Sequence, residues 1–316
     1  MKKLSLVALI GALATSAHAE PEFYGKANLS VHHADKTDED STTIEMVSNA
    51  SRIGVKGEVE GNDSIKGIYQ IEYETSPDDG DSSGQTFQQR NIFVGLQGSF
   101  GIVKAGHFDT PLKASQNKID LFNDQVGDIK AVITRNDVRK SNSVAYQSTT
   151  GTPFNAYVAY IASEDEEIDD SVSAAFSFEK NDLYIALAFD LNDRWEIGGV
   201  DFEGEVRRAV AQYSFSSFQI GALYEQMDID GQDDTLDGWF VSGGYKMDNW
   251  LFKIQAGQSD QRFEGGETMS VGFDYKISKP LKIFTYYTVH NSDDAEFVDD
   301  EIIDRNYLGL GIEAKF

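Results

Sequence analysis

No cysteine occurs anywhere in the 316 residues. Disulfides contribute nothing, so stability rests on burial and backbone hydrogen bonding. Long apolar runs are missing too, apart from one near the start, from Leu4 to about Ala14. It follows Lys2 and Lys3 and leads through small residues to Ala17-His18-Ala19. A basic start, a short apolar run and an A-x-A exit predict a secretory signal over residues 1–19, with the mature chain as one unit over 20–316. The run is shorter than the roughly 20 apolar residues of a permanent transmembrane helix, and no later segment could form one. Positive charge is scarce: 27 Lys and Arg stand against 53 Asp and Glu, for a net charge of −26. Losing Lys2 and Lys3 with the signal takes the mature chain to −28. That balance repels nucleic acid and excludes it as a partner. Histidine is sparse as well. His32, His33, His107 and His290 are the mature set, and no Ser or Asp motif stands beside any of them. An enzyme, which needs a nucleophile–base pair or its equivalent, is not expected.

What the chain does have is a period of two. Mean hydropathy is −0.39, a polar value, yet the apolar residues alternate strictly. Phe23, Gly25, Ala27, Leu29 and Val31 share one parity, and Tyr24, Lys26, Asn28, Ser30 and His32 the other. The same scheme recurs in "SRIGVKGEVE", in "DLYIALAFDL", in "ETMSVGFDYKI" and in the final "NYLGLGIEAKF". Such alternation is the signal of strands with one apolar and one polar face. Segments of about ten residues suit tilted strands crossing a bilayer. Connections sort into two classes. Tight turns are expected at Glu60–Ser64, Ser99–Gly101, Thr149–Thr152 and Lys180–Asp182, and long acidic loops at Asp35–Asp40, Asp78–Asp81, Glu164–Asp170, Asp228–Asp237 and Asp293–Asp304. About sixteen strands with short turns on one rim and long loops on the other predict an all-β fold, a 16-stranded antiparallel transmembrane β-barrel. Closure would pair the last strand with the first, so that Leu308, Leu310, Ile312 and Phe316 face lipid and no edge is left unsatisfied. Aromatics expected in interfacial girdles are Phe23, Tyr24, Phe215, Phe218, Trp239, Trp250, Tyr286 and Tyr287.

Five segments also carry a likeness. "FYGKANLSV", "SRIGVKGEVE", "RNIFVGLQGSFGIVKAGHFDTP", "RKSNSVAYQS" and the terminal "GIEAKF" stand in family order, and together the chain resembles the general, non-specific porins of Gram-negative outer membranes over nearly its whole length. The resemblance implies a 16-stranded barrel, a homotrimer, and passive diffusion of small hydrophilic solutes and ions. It also implies a third loop folded into the lumen, and the longest gap in the alternation, about Asp109 to Thr134, lies in that position. Phe316 resembles the terminal aromatic by which the barrel-assembly machinery recognises its substrates. Lipid and lipopolysaccharide of the outer membrane are the implied surroundings.

In that family, basic residues of the wall face acids of the inward loop. The resemblance places Lys26, Arg52 and Arg139 on the wall, and their parity with polar neighbours agrees. Arg90 also resembles a wall arginine, although Ile92 and Val94 share its parity, as in a strand buried at a subunit contact. His107 stands where the family often has arginine and would make one wall charge pH-dependent; its parity mates Val103 and Ala105 give no support for the lumen. For the facing acids, Asp120, Asp124 and Asp128 are spaced by four, along one side of a short helix if the loop coils there, with Asp124 and Asp128 preferred. No cofactor and no internal metal are expected. Loose Ca²⁺ or Mg²⁺ at the external carboxylate clusters is one reading, a plain solvated acidic surface the other. The acidic mouth predicts mild cation preference. The alternative is a substrate-selective porin for sugars, with Tyr157, Tyr184 and Phe284 as lumen aromatics. An exported, lectin-like soluble β protein is the third class.

Overall fold

The computed structural model describes residues 21–62, 64–78, 87–149, 151–166, 168–197, 200–293 and 304–316; the expected signal over 1–19 and most of the Asp78–Asp81 and Asp293–Asp304 stretches lie outside them. Its strands are β1 (Glu22–Lys36), β2 (Ser41–Ser48), β3 (Ser51–Asn62), β4 (Ile65–Thr75), β5 (Gln88–Gly98) and β6 (Gly101–Asp109). After a long loop come β7 (Arg139–Gln147), β8 (Phe154–Ile161), β9 (Ser171–Lys180), β10 (Leu183–Ile197), β11 (Val200–Phe215) and β12 (Phe218–Ile229). The chain finishes with β13 (Thr235–Met247), β14 (Trp250–Ser259), β15 (Gly266–Lys276), β16 (Leu281–Asn291) and β17 (Asp304–Lys315). All pairings are antiparallel; they join chain neighbours except at β1, which also pairs with β3 and with β17, the latter from Lys26↔Lys315 to Lys36↔Arg305. β2 and β3 both pair with β1 and are two halves of one stave, broken at Asn49–Ala50, where Ala50 has φ 50°. Sixteen staves therefore close into a barrel, which leaves no strand edge open to lipid.

The burial pattern is inside-out, as a membrane barrel requires. Lys26, Asn28, Ser30 and His32 are buried, while Val31 on the opposite parity is exposed. On β17, Leu308, Leu310 and Ile312 face outward and Tyr307 and Glu313 inward. Phe316 completes the seam: its N–H donates to Gly25 O at 3.1 Å, and Gly25 N–H donates to Phe316 O at 2.9 Å. Its ring lies so close over Gly25 that a Cβ there would stand 2.3 Å from it. Hence a glycine sits opposite the terminal aromatic. No helix among the described residues is long and apolar enough to cross a membrane; the strands make the crossing.

Several expectations need correcting. Phe215, Phe218, Trp239 and Tyr287 are exposed outward. Tyr213, Phe215, Phe218, Tyr245, Phe252 and Trp250 stack in succession, with ring centres 4.6 to 6.5 Å apart. Tyr24 and Tyr286, by contrast, point into the lumen: Tyr24 donates to Glu72 at 3.0 Å, and Tyr286 is buried against His32 and Ser30. Their parity, shared with Lys26 and Phe284, turns them inward, and Tyr286 lies at the middle of β16 and not at an end. The stretches Asp35–Asp40 and Asp228–Asp237 are also shorter as loops than their composition suggests. β1 runs to Lys36, β12 to Ile229, and β13 starts at Thr235. Backbone pairing does not need apolar side chains, so staves extend beyond the hydrocarbon band.

Between β6 and β7 the chain folds inward as the third loop, residues 110–138. It begins with a short helix, α1 (Pro111–Ser115), capped by Thr110 Oγ1 accepting from Lys113 N–H at 3.1 Å. The acids from Asp120 to Asp128 do not sit on a helix. That stretch is a series of turns, and Asp124 has φ 65°. Leu112, Ile119, Phe122, Ile129 and Ile133 are fully buried against the inner wall of β9 to β16. At about 1.5–3 kcal/mol each, these five side chains supply on the order of 10 kcal/mol, so burial holds the loop inward. Gln255 accepts from Leu121 N–H at 3.1 Å and donates to Gly127 O at 2.5 Å. At Gly127 the loop passes so near β15 that a Cβ would meet Ser270 Oγ at 2.3 Å.

Candidate functional site

Lys26 and Arg52 are direct cross-strand partners on β1 and β3. Two like charges opposite each other repel, and the third loop supplies the counter-charge. Asp124 accepts from Lys26 Nζ at 2.6 Å and from the Arg52 guanidinium. Burial alone would raise the Asp124 carboxyl, but Arg52, Lys26 and Arg90 outweigh it and hold it down to about 2. The loop acid thus touches the basic wall that it was expected to face.

Arg90 joins the same cluster. It donates to Glu72 at 2.9 Å and to Glu74, and Glu72 also lies 4.0 Å from Arg52. The parity argument against Arg90 fails because β5 carries a β-bulge. Ile71 pairs with Ile92 but Tyr73 with Gln89, so one extra residue is accommodated at Arg90–Asn91. A bulge resets parity across it, which lets Ile92 and Val94 face out while Arg90 is buried. Glu72 and Glu74 were missed from the sequence, although the alternation Gln70, Glu72, Glu74 against Ile71 and Tyr73 was the available signal.

The remaining sequence candidates lie elsewhere. Arg139 opens β7 and pairs with Asp109 at 3.0 Å, next to Lys113, which reaches Asp109 at 3.2 Å. His107 stays on the outward parity with Val103, its Nδ1 2.9 Å from Ser141 Oγ in an exposed contact. A second bulge lies opposite it, with the extra residue in β7 at Ser141–Asn142, so β6 itself keeps its alternation. His107 therefore does not supply a lumen charge. Asp120 and Asp128 are buried inside the third loop and brace its backbone. Asp120 accepts from Phe122 and Ile129 N–H at 3.0 and 2.9 Å, Asp128 from Asp124 and Lys130 N–H at 2.8 and 2.9 Å. Burial, with the charge of Asp128 nearby, pushes the Asp120 carboxyl well up; burial pushes Asp128 up against the pull of Lys130. Of the three acids spaced by four, only Asp124 reaches the wall.

A further network, also missed, fixes both limbs of the loop. Arg208 of β11 pairs with Glu225 of β12, both fully buried. Arg208 also donates to Leu112 O and Thr134 Oγ1 at 3.1 Å. Glu225 accepts from Thr134 at 2.5 Å and from Asn136 Nδ2 at 3.1 Å, and Trp195 Nε1 donates to Asn136 at 2.8 Å. Nothing in "EVRRAV" or "LYEQ" tells which of their charges meet across two strands.

Comparison with known proteins agrees with this geometry. A sequence model described as Gram-negative porin matches residues 5–295. The chain is 26% identical to the major outer membrane protein P.IB of Neisseria sicca, over 88% of this chain and 91% of that one. It is 24% identical to the outer membrane porin protein 32 of Delftia acidovorans, over 90% and 88%. Among solved structures, an anion-selective porin from Comamonas acidovorans superposes with a TM-score of 0.81 at 18% identity, covering 94% of this chain and all of that one. The OmpF of Salmonella typhi, in complex with daunomycin, gives 0.73 at 18% identity, covering 94% and 97%. A closed antiparallel barrel with an inward loop, matched by this family along most of its length, is an outer-membrane diffusion channel and not an enzyme: the chain belongs to the Gram-negative porins.

Proposed function

We propose that this porin passes small hydrophilic solutes and ions through a constriction bounded by Lys26, Arg52, Arg90 and the third loop, with mild preference for cations. One observation carries the selectivity. The three wall cations are matched by three carboxylates in contact, Asp124, Glu72 and Glu74, so the narrow zone has little net positive charge to reject cations. The acidic mouth is not balanced in this way, and it raises the local cation concentration. The likeness to an anion-selective porin is one of fold at 18% identity; the charges that set preference are this chain's own. Reversal potentials of the purified protein in planar bilayers under a KCl gradient test the reading: the expected sign is that of a potassium-preferring channel, and clear chloride preference overturns it.

Sugar selectivity finds less support. Tyr157 and Tyr184 line one cavity of 460 Å³, but their hydroxyls already donate to Asp109 O and Ser115 O. Phe284 is fully buried in the cluster with Phe122. The three do not form a continuous ladder. A homotrimer is supported by the outward face of β2 to β5, where Ile44, Met46, Ile71, Val94 and Leu96 stand exposed. Phe316 stands exposed at the seam, in reach of an assembly factor. Lipopolysaccharide, with Ca²⁺ or Mg²⁺ bridging external carboxylates, completes the proposal for the outer rim.

A further inference from the structure

Lys104 of β6 differs from every other lumen cation described above. Lys26, Arg52, Arg90, Arg139 and Arg208 each have a carboxylate within 4.0 Å. Among the described residues none stands that close to Lys104. Three aromatic faces hold its ammonium instead, with ring centres at 4.2 Å for Phe108, 4.7 Å for Phe93 and 5.2 Å for Tyr157. Asp109, the carboxylate whose charge acts on it, is occupied by Lys113, Arg139 and Asn91.

Ring faces attract a cation without neutralising it. The result is a half-buried ammonium, fixed in position, that no carboxylate neutralises. Its place matters. Phe93 lines a cavity of 870 Å³ together with Tyr69 and Gln70. Tyr157 lines the 460 Å³ cavity together with Gln147 and Asn155. Lys104 itself lines neither cavity, but it lies against one ring from each.

We propose that Lys104 is a transit site for small organic carboxylates, a deepening that rests on the diffusion-channel reading. The carboxylate pairs with the ammonium, the apolar body lies along Phe93 or Tyr157, and the amides of Gln147 and Asn155 receive polar substituents. A charge-assisted bond in a partly dehydrated niche is stronger than one in open water. Such a site retains organic anions briefly inside a pore that otherwise favours cations. It does not turn the pore into an anion channel.

The test is single-channel recording in KCl with sodium benzoate as the probe and acetate and inorganic phosphate as comparators. Wild type should show a saturable fall in conductance with benzoate, at lower concentrations than with acetate or phosphate. Lys104→Met should weaken the benzoate effect about tenfold, while Lys104→Arg retains it. Both should still pass KCl. If Lys104→Met does not assemble, Lys104→Gln, neutral with a polar end, takes its place under the same criterion. Equal sensitivity of the neutral variant and wild type overturns the site. So does a charge-dependent response to phosphate alone, which would make it an inorganic-anion site. A wild-type protein that does not conduct at all would instead sink the channel reading on which this rests.

Discussion

Asp124 is one side chain that reaches two cations, and its removal isolates their effect. The loop is held by five fully buried apolar side chains worth on the order of 10 kcal/mol, so Asp124→Asn should leave it folded inward. Lys26 and Arg52 would then face the pore with less counter-charge. We expect the cation preference to fall by about twofold or reverse, with conductance little changed; an unaltered reversal potential would show that Asp124 does not set it. The pH response follows from the same carboxyl. Held down to about 2, against about 3.9 in an unfolded chain, its ionised form contributes on the order of 2 kcal/mol that is fully present above about pH 4. That contribution is lost as pH falls through about 2. Titrating the selectivity of wild type should therefore show this contact intact at pH 4 and failing only toward pH 2, a step that Asp124→Asn lacks. Arg90 teaches the complementary lesson. Strict alternation along "RNIFVGL" put it in the wrong company, because a single extra residue in β5 reversed the parity there.

At the scale of elements, the third loop depends on the wall behind it. The Arg208–Glu225 pair meets both limbs, at Leu112 and at Thr134 and Asn136. Removing one member of a fully buried pair costs about 3–5 kcal/mol because the other charge is stranded. That is a third or more of what holds the loop. Arg208→Ala should then give a larger and noisier single-channel conductance, with the barrel still heat-modifiable in detergent; a conductance equal to wild type would show that the loop stays put without this anchor. The seam between β1 and β17 is the other element with a sharp requirement. Gly25→Val sets a branched side chain where the Phe316 ring lies, at 2.3 Å from the first added carbon. Folded, heat-modifiable protein should fall markedly by gel shift, and deletion of Phe316 should do the same by removing two backbone hydrogen bonds. A normal folded yield in both variants would mean that closure does not depend on this contact.

Over the whole molecule, charge is distributed unevenly between the rims. The turn-side rim carries five lysines, Lys246, Lys276, Lys279, Lys282 and Lys315, against three acids, Asp248, Asp274 and Glu313, around one cavity. The opposite rim carries Glu164, Asp165, Asp169, Asp170, Asp230, Asp233 and Asp234. Exposed charges act over a Debye length, about 10 Å at 0.1 M salt and about 3 Å at 1 M. Cation preference arising from the mouth should therefore weaken steadily between those concentrations. Currents at low salt should also be asymmetric in voltage, because one mouth concentrates cations and the other does not. Preference independent of salt would place its source in the dehydrated constriction.

The sequence by itself determined the barrel. Alternation with period two sets which side chains face lipid, because a strand puts successive residues on opposite faces, and it needs no knowledge of partners. Lys26 and Arg52 were legible for that reason, as were the long third gap and the outward row of β17. Tertiary structure alone decided the contacts of the constriction. A bulge in β5 moved Arg90 inward, and turns in place of a helix separated Asp124 from Asp120 and Asp128. Glu72, Glu74, Arg208 and Glu225 acquire their roles only when strands far apart in sequence are brought into register. Pairing of charges across a lumen depends on distance in space, which a local pattern does not encode.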